Sequence, residues 1–114
     1  CAADRADYGL INRVNKRLDM AKLTEQEIAE LLPTAPGWSV VVEEGMGRLQ
    51  KAFAFDDFAE ALAFTNRVGD LAEEANHHPR IVTEWGRVTL TWWSHDLGGI
   101  VANDFEMAKR VDAL

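Results

Sequence analysis

The chain lacks most of what would take it outside ordinary aqueous chemistry. It holds one cysteine, Cys1, in 114 residues. A single thiol excludes an internal disulfide and any cysteine-based metal motif. Apolar runs such as 38–42 fall far short of the ~20 residues that a membrane-spanning helix needs. Basic charge is scarce: 12 Lys and Arg stand against 19 Asp and Glu, a formal net charge of −7. With no basic patch to override it, that charge argues against direct nucleic-acid contact and against anionic membrane surfaces. The amino terminus shows no basic-then-apolar signal pattern. These absences set the expectation of a soluble, cytoplasmic protein. No repeat, low-complexity tract or linker divides the chain, and 47% hydrophobic residues suit one domain with a modest core. So small a domain is expected to self-associate.

Residues 1–22 form an uncertain amino-terminal extension, with Leu10, Ile11, Val14 and Leu18 at helical spacing. From Leu23 the signals sharpen. Thr24 to Glu27 reads as a capping box, predicting a short helix to about Leu32, where Pro33 stops it. Trp38 to Glu43 and Arg48 to Phe55 read as a strand pair turning through Glu44 to Gly47. Asp56 or Asp57 caps a second helix whose apolar stripe runs from Phe58 to Ala75 and ends by Asn76. Ile81 to Trp85 and Val88 to Trp93 read as two more strands around Gly86, and a last helix covers roughly Asn103 to Leu114. The order α-β-β-α-β-β-α predicts an α+β fold, a four-stranded antiparallel sheet with helices on one face. Phe53, Phe55, Phe58, Phe64 and Trp85 are expected in the core.

The chain has three histidines, all between positions 77 and 95: His77 and His78 in Asn-His-His-Pro, and His95 in Trp-Ser-His-Asp. Neutral imidazole both accepts and donates a proton near pH 7, so such a cluster marks a candidate site. His77 and His78 leave a helix end and His95 leaves a strand end, and those two exits can meet at one rim of the sheet. Glu73 lies one helical turn before His77 and can orient an imidazole or accept from a ligand N–H. Asp104, in the first turn of the last helix, can close the same pocket or serve that helix's N-terminus. Three histidines also suit a zinc ion with an open fourth position.

Glu73, His77-His78-Pro79, Trp85, His95 and Asp104 together resemble the signature of the pterin-4a-carbinolamine dehydratases. The resemblance extends upstream through Leu23-Thr24, Gly37-Trp38 and the segment from Phe53 to Phe58, and assigns residues 23–114 to the family's domain. It implies a lyase that dehydrates 4a-hydroxytetrahydropterin to quinonoid dihydropterin and so recycles the pterin of aromatic amino acid hydroxylation. Metal and cofactor are both expected to be none, since the pterin is the substrate. His77, His78 and His95 are implied as catalytic, with His77 and His95 the favoured acid–base pair and His78 mainly holding substrate. Glu73, Asn76, Pro79, Trp93, Ser94 and Asp104 are implied as substrate-binding or supporting residues. The resemblance further implies a homodimer or homotetramer and a functional link to an aromatic amino acid hydroxylase. Its alternative is a non-catalytic interaction module on the same fold, of the transcriptional-cofactor or carboxylase-assembly-chaperone type. Val101 departs from the Ser or Thr common in the family and cannot cap the last helix through a side-chain oxygen. Trp93 stands where a small polar residue is frequent, which would narrow the pocket or let the indole stack on the pterin.

Overall fold

The computed structural model describes residues 21–114. The helix expected around Leu10 to Leu18 lies outside the described residues. Seven regular elements follow in the predicted order. They are α1 (Glu25–Leu31), β1 (Ser39–Glu43), β2 (Met46–Ala54), α2 (Phe58–Ala75), β3 (Arg80–Glu84), β4 (Arg87–Trp92) and α3 (Ala102–Asp112). The strands form one antiparallel sheet in the order β1-β2-β4-β3.

Local chemistry sets most of the boundaries. Thr24 Oγ1 accepts from the Glu27 N–H at 3.1 Å while Glu27 Oε1 accepts from the Thr24 N–H at 2.8 Å, the reciprocal capping box that starts α1. Asp57 Oδ1 accepts from the Glu60 N–H at 2.8 Å and starts α2. Asn76, at φ 51°, ends α2 in the left-handed conformation. Glu44 and Gly45 both adopt positive φ, at 54° and 73°, so two residues suffice to reverse the chain. β2 therefore begins at Met46, two residues earlier than predicted, and Glu43 pairs directly with Met46.

The strand period of two divides the sheet chemically. Leu49 pairs with Trp92, Phe53 with Val88, and Leu90 with Ile81, so these side chains share the face that α2 and α3 cover. Phe64 of α2 reaches down to Phe53 and Phe55, ring centroids 4.8 and 5.1 Å away. Lys51 also points to this face, between Leu49 and Phe53. Its Nζ is held by Asp112 Oδ1 at 2.9 Å, and Asp112 Oδ2 accepts from the Trp38 indole at 3.0 Å. A strand lysine thus ties the end of α3 to the loop before β1. Gly37 is required there: it sits at φ 88°, and a Cβ would stand 2.9 Å from Lys51 Cε.

Two aromatic expectations are corrected. Trp85 is 73% exposed because the pairing of Glu84 with Arg87 leaves Trp85 and Gly86 as the turn itself. Phe58, the first residue of α2, lies outside the helix's buried stripe, which begins at Ala61.

Among the described residues, no helix packs on the opposite face, which carries Arg48, Gln50, Arg80 and Thr91. Arg80 of β3 reaches across Thr91 to clasp Glu43 of β1 in a two-pronged ion pair, Nη1 to Oε1 at 3.1 Å and Nη2 to Oε2 at 2.6 Å. The hydrogen bonds from Arg80 hold the Glu43 carboxyl below its ordinary pKa of 4.5. A depressed carboxyl contributes stability above its unfolded pKa and loses it as pH falls through the lowered folded value. Glu43→Gln is therefore expected to differ from the parent chain in urea midpoint at neutral pH and to converge with it below about pH 4. Leu90, fully buried at the sheet centre, tests the core: Leu90→Ala is expected to lower unfolding free energy by about 2–5 kcal/mol. Equilibrium urea denaturation measures both effects.

Candidate active site

Three chain segments meet at one end of the helix-covered face: the exit of α2, the exit of β4 and the entry of α3. The left-handed Asn76 turns the chain so that the His77 ring packs inward, with 1% of its surface exposed, and lies parallel to the Trp92 indole at 5.4 Å. Its Nε2 is 2.6 Å from Asp104 Oδ1. Asp104 is completely buried. Its second oxygen accepts from the Val101 N–H at 2.9 Å and from Ser94 Oγ at 3.4 Å. An ionised carboxylate only accepts hydrogen bonds, so with Asp104 in that form the His77 ring presents Nε2–H to it.

The same contacts resolve the capping of α3. Val101 supplies no side-chain acceptor, yet the helix starts immediately after it, at Ala102 rather than Asn103. Asp104, in the third helical position, reaches back to the Val101 N–H and supplies the side-chain half of a capping box that valine permits. Asp104 thereby serves both the helix terminus and the histidine.

The remaining predicted residues fall into different settings. His78 is exposed, and its Nε2 is 2.5 Å from Glu73 Oε2 across the end of α2. His95 is exposed at the start of a short 3₁₀ turn, His95–Leu97, and among the described residues its ring makes no hydrogen bond or ion pair. Asn76 is exposed, Pro79 is half-buried, and Ser94 is buried in a bridge to Gly99. Trp93 points away from His77, to the helix-free face, where the Arg48 guanidinium lies 4.0 Å and the Arg80 guanidinium 5.6 Å from its ring centroid. The structure thus unites His77, Ser94 and Asp104 in one buried network and Glu73 with His78 in a second, exposed pair. Sequence reasoning passed over three residues here. Trp92 packs on His77, and Arg48 and Arg80 flank Trp93; the strand register alone reveals both relations. Among the described residues, no three His, Cys, Asp or Glu side chains come together in a way that could hold a metal ion. Among the described residues, no helix is long and apolar enough to cross a membrane.

The α+β domain thus places a buried imidazole–carboxylate pair where α2, β4 and α3 meet. The sequence profile of the pterin 4 alpha carbinolamine dehydratases matches residues 21–114, and the chain belongs to that family. It is 59% identical over 92 residues to a Chlorobium limicola protein provisionally named pterin-4-alpha-carbinolamine dehydratase, covering 81% of each chain. A Nitrosococcus oceani protein with the same provisional name is 52% identical over 98 residues, 86% of this chain and 87% of its own. Among solved structures, a transcriptional coactivator/pterin dehydratase from Brucella melitensis superposes with a TM-score of 0.73 at 33% identity, covering 81% of this chain and 96% of that one. A pterin dehydratase-like protein identified as a RuBisCO assembly factor in the alpha-carboxysome superposes with a TM-score of 0.56 at 31% identity, covering 68% and 87%.

Removing the central carboxylate tests the network. Asp104→Asn keeps the shape but puts N–H donors against donors from His77, Ser94 or Val101. The expected loss is about 1–3 kcal/mol of unfolding free energy. Nitrogen-15 shifts of the His77 ring are expected to report Nε2 protonation in the parent chain and a change of state in the variant.

Proposed function

We propose that this protein dehydrates a 4a-hydroxytetrahydropterin to the quinonoid dihydropterin and water, and thereby returns the pterin cofactor of aromatic amino acid hydroxylation to use. The observation that carries the reading is the buried His77–Asp104 pair. A base oriented by a carboxylate is the arrangement that general acid–base catalysis asks for, in a setting shielded from bulk water. In the reaction the C4a–O bond breaks, a proton goes to the departing oxygen, and a ring nitrogen gives up its proton as the new C=N bond forms. Water leaves, and no electron acceptor is needed.

His77 and His95 exchange these protons. His78, held by Glu73, lines the substrate side with Asn76, Pro79, Ser94 and Trp93, and Asp104 keeps the His77 tautomer. No metal or organic cofactor takes part. The functional form is a homodimer or homotetramer in the cytoplasm, paired in metabolism with an aromatic amino acid hydroxylase. The exposed His95 gives this reading its independent support, because packing does not account for that imidazole.

A non-catalytic interaction module is the second reading. The specific observation in its favour is the structural likeness to the RuBisCO assembly factor. The deciding assay follows absorbance of freshly generated 4a-hydroxytetrahydropterin, with chelator present, at substoichiometric protein. Acceleration is expected. His95→Ala and His78→Ala are expected to keep the parent urea midpoint, with His95→Ala losing about 100- to 10,000-fold in rate. His77→Ala is expected to lose both rate and stability. No acceleration by folded parent protein would overturn the dehydratase reading in favour of the module, and full activity in His77→Ala and His95→Ala would remove their assigned roles.

A further inference from the structure

On the face away from α2 and α3, two buried donors have no acceptor among the described residues. Arg48 is only 3% exposed, and its Nε–H meets no hydrogen-bond partner; the indole N–H of Trp93 meets none either. The Arg48 guanidinium lies 4.0 Å from the Trp93 ring centroid, so both orphan donors belong to one patch. Buried donors are almost always satisfied, and an unsatisfied one is destabilising. Two of them side by side, one on a cation, call for an oxygen acceptor that the described residues do not provide.

The surroundings say which kind of oxygen. Arg80, 5.6 Å from the same ring, presents its two Nη donors as a fork, and that fork holds the Glu43 carboxylate. Glu43 also stands 3.8 Å from Arg48 Nη1. The patch is therefore built around a carboxylate, and the one it holds comes from an edge strand and is 40% exposed. At 40% exposure the Glu43 carboxylate can turn out to water, so an anion that also reaches the two orphan donors can take its place on the Arg80 fork. Exchange preserves the charge balance of Arg48 and Arg80 against Glu43 and Glu44, because the incoming anion takes the place that Glu43 leaves.

The position matters as much as the chemistry. Arg80 pairs with Thr91 across β3 and β4. His78 lies two residues before Arg80, and Trp93 two residues after Thr91, so both leave the sheet at the same end. We infer that the patch formed by Arg48, Trp93 and Arg80 receives a carboxylate carried on the side chain of the pterin, with Glu43 yielding to it. This inference rests on the dehydratase reading and narrows its substrate class to pterins with an acidic side chain. The carboxylate accepts from Arg48 Nε, Trp93 Nε1 and the Arg80 fork, while Glu43 turns out to water. Arg48 and Trp93 are specificity residues; no bond is made or broken at the patch.

The test uses unreactive oxidised pterins and their fluorescence. Pterin-6-carboxylate and folate, two carboxylates of different reach, are titrated against the neutral 6-hydroxymethylpterin. At least one acid is expected to bind about tenfold more tightly than the neutral probe, the gain usual for a charge-assisted hydrogen bond. Trp93→Phe keeps an aromatic ring and removes the donor, and is expected to cut that ratio at least threefold. Glu43→Gln, a surface substitution, is expected to raise it. Equal affinity for the neutral probe and both acids, or a ratio indifferent to both substitutions, overturns the inference. Displacement of the acids by acetate alone at matched concentration also overturns it, since the patch would then hold any free anion. Turnover of a neutral 4a-hydroxytetrahydropterin separates the two levels. Dehydration without carboxylate preference removes only this inference, whereas absence of both dehydration and pterin binding removes the reading beneath it.

Discussion

The buried charge of Asp104 is the constraint on which the rest of the site depends. Moving a carboxylate out of water costs several kcal/mol unless hydrogen bonds replace its hydration. Here His77, Ser94 and Val101 supply them, from the exit of α2, the exit of β4 and the entry of α3. None of the three segments can move without stranding the carboxylate. The pair that orients the candidate base is thus the same pair that fixes how the three elements meet. Stability and chemistry share atoms at this point, so a variant at His77 or Asp104 perturbs both.

That overlap decides how much each histidine says about function. His77 is explained by folding alone: it fills space against Trp92 and satisfies Asp104. A protein with this fold and no activity would still profit from keeping it. His95 has no such account among the described residues, being exposed at the head of a short turn. The exposed His95 imidazole therefore adds support for catalysis that the buried pair does not give by itself. The likeness to an assembly factor does not discriminate in the same way, since one fold serves several functions.

Much of this was legible before any coordinates, where the signal was local. The capping box at Thr24, the cap at Asp57, the left-handed stop at Asn76 and the alternation of β4 all act within a few residues, and the elements follow them. Errors arose where the deciding contact is one that periodicity does not carry. Trp85 reads as the end of an apolar strand, and only the pairing of Glu84 with Arg87 turns it out to solvent. Valine at position 101 removes a cap, and only the placement of Asp104 restores the helix start. Lys51 interrupts an apolar face, and its compensation lies at Asp112, 61 residues on. The grouping of Arg48 and Arg80 about Trp93 needs the register of three strands at once, which no periodicity contains.

The sheet's period of two then assigns different tasks to neighbouring residues. Trp92 and Trp93 are adjacent in sequence, yet Trp92 turns to the helices and supports His77, while Trp93 turns to the open face and meets two arginines. A single strand exit therefore feeds two chemically distinct environments. One is buried and organised around a carboxylate, suited to handling protons; the other is cationic and aromatic, suited to gripping an oxygen-rich group. A ligand that spans this end of the sheet can meet acid–base chemistry on one side and charge recognition on the other. The side chains of Arg48, Trp93 and Arg80 make no hydrogen bond to His77, Ser94 or Asp104, so the two environments are organised by different partners. Side-chain changes among the arginines can thus be made without removing any hydrogen bond to Asp104.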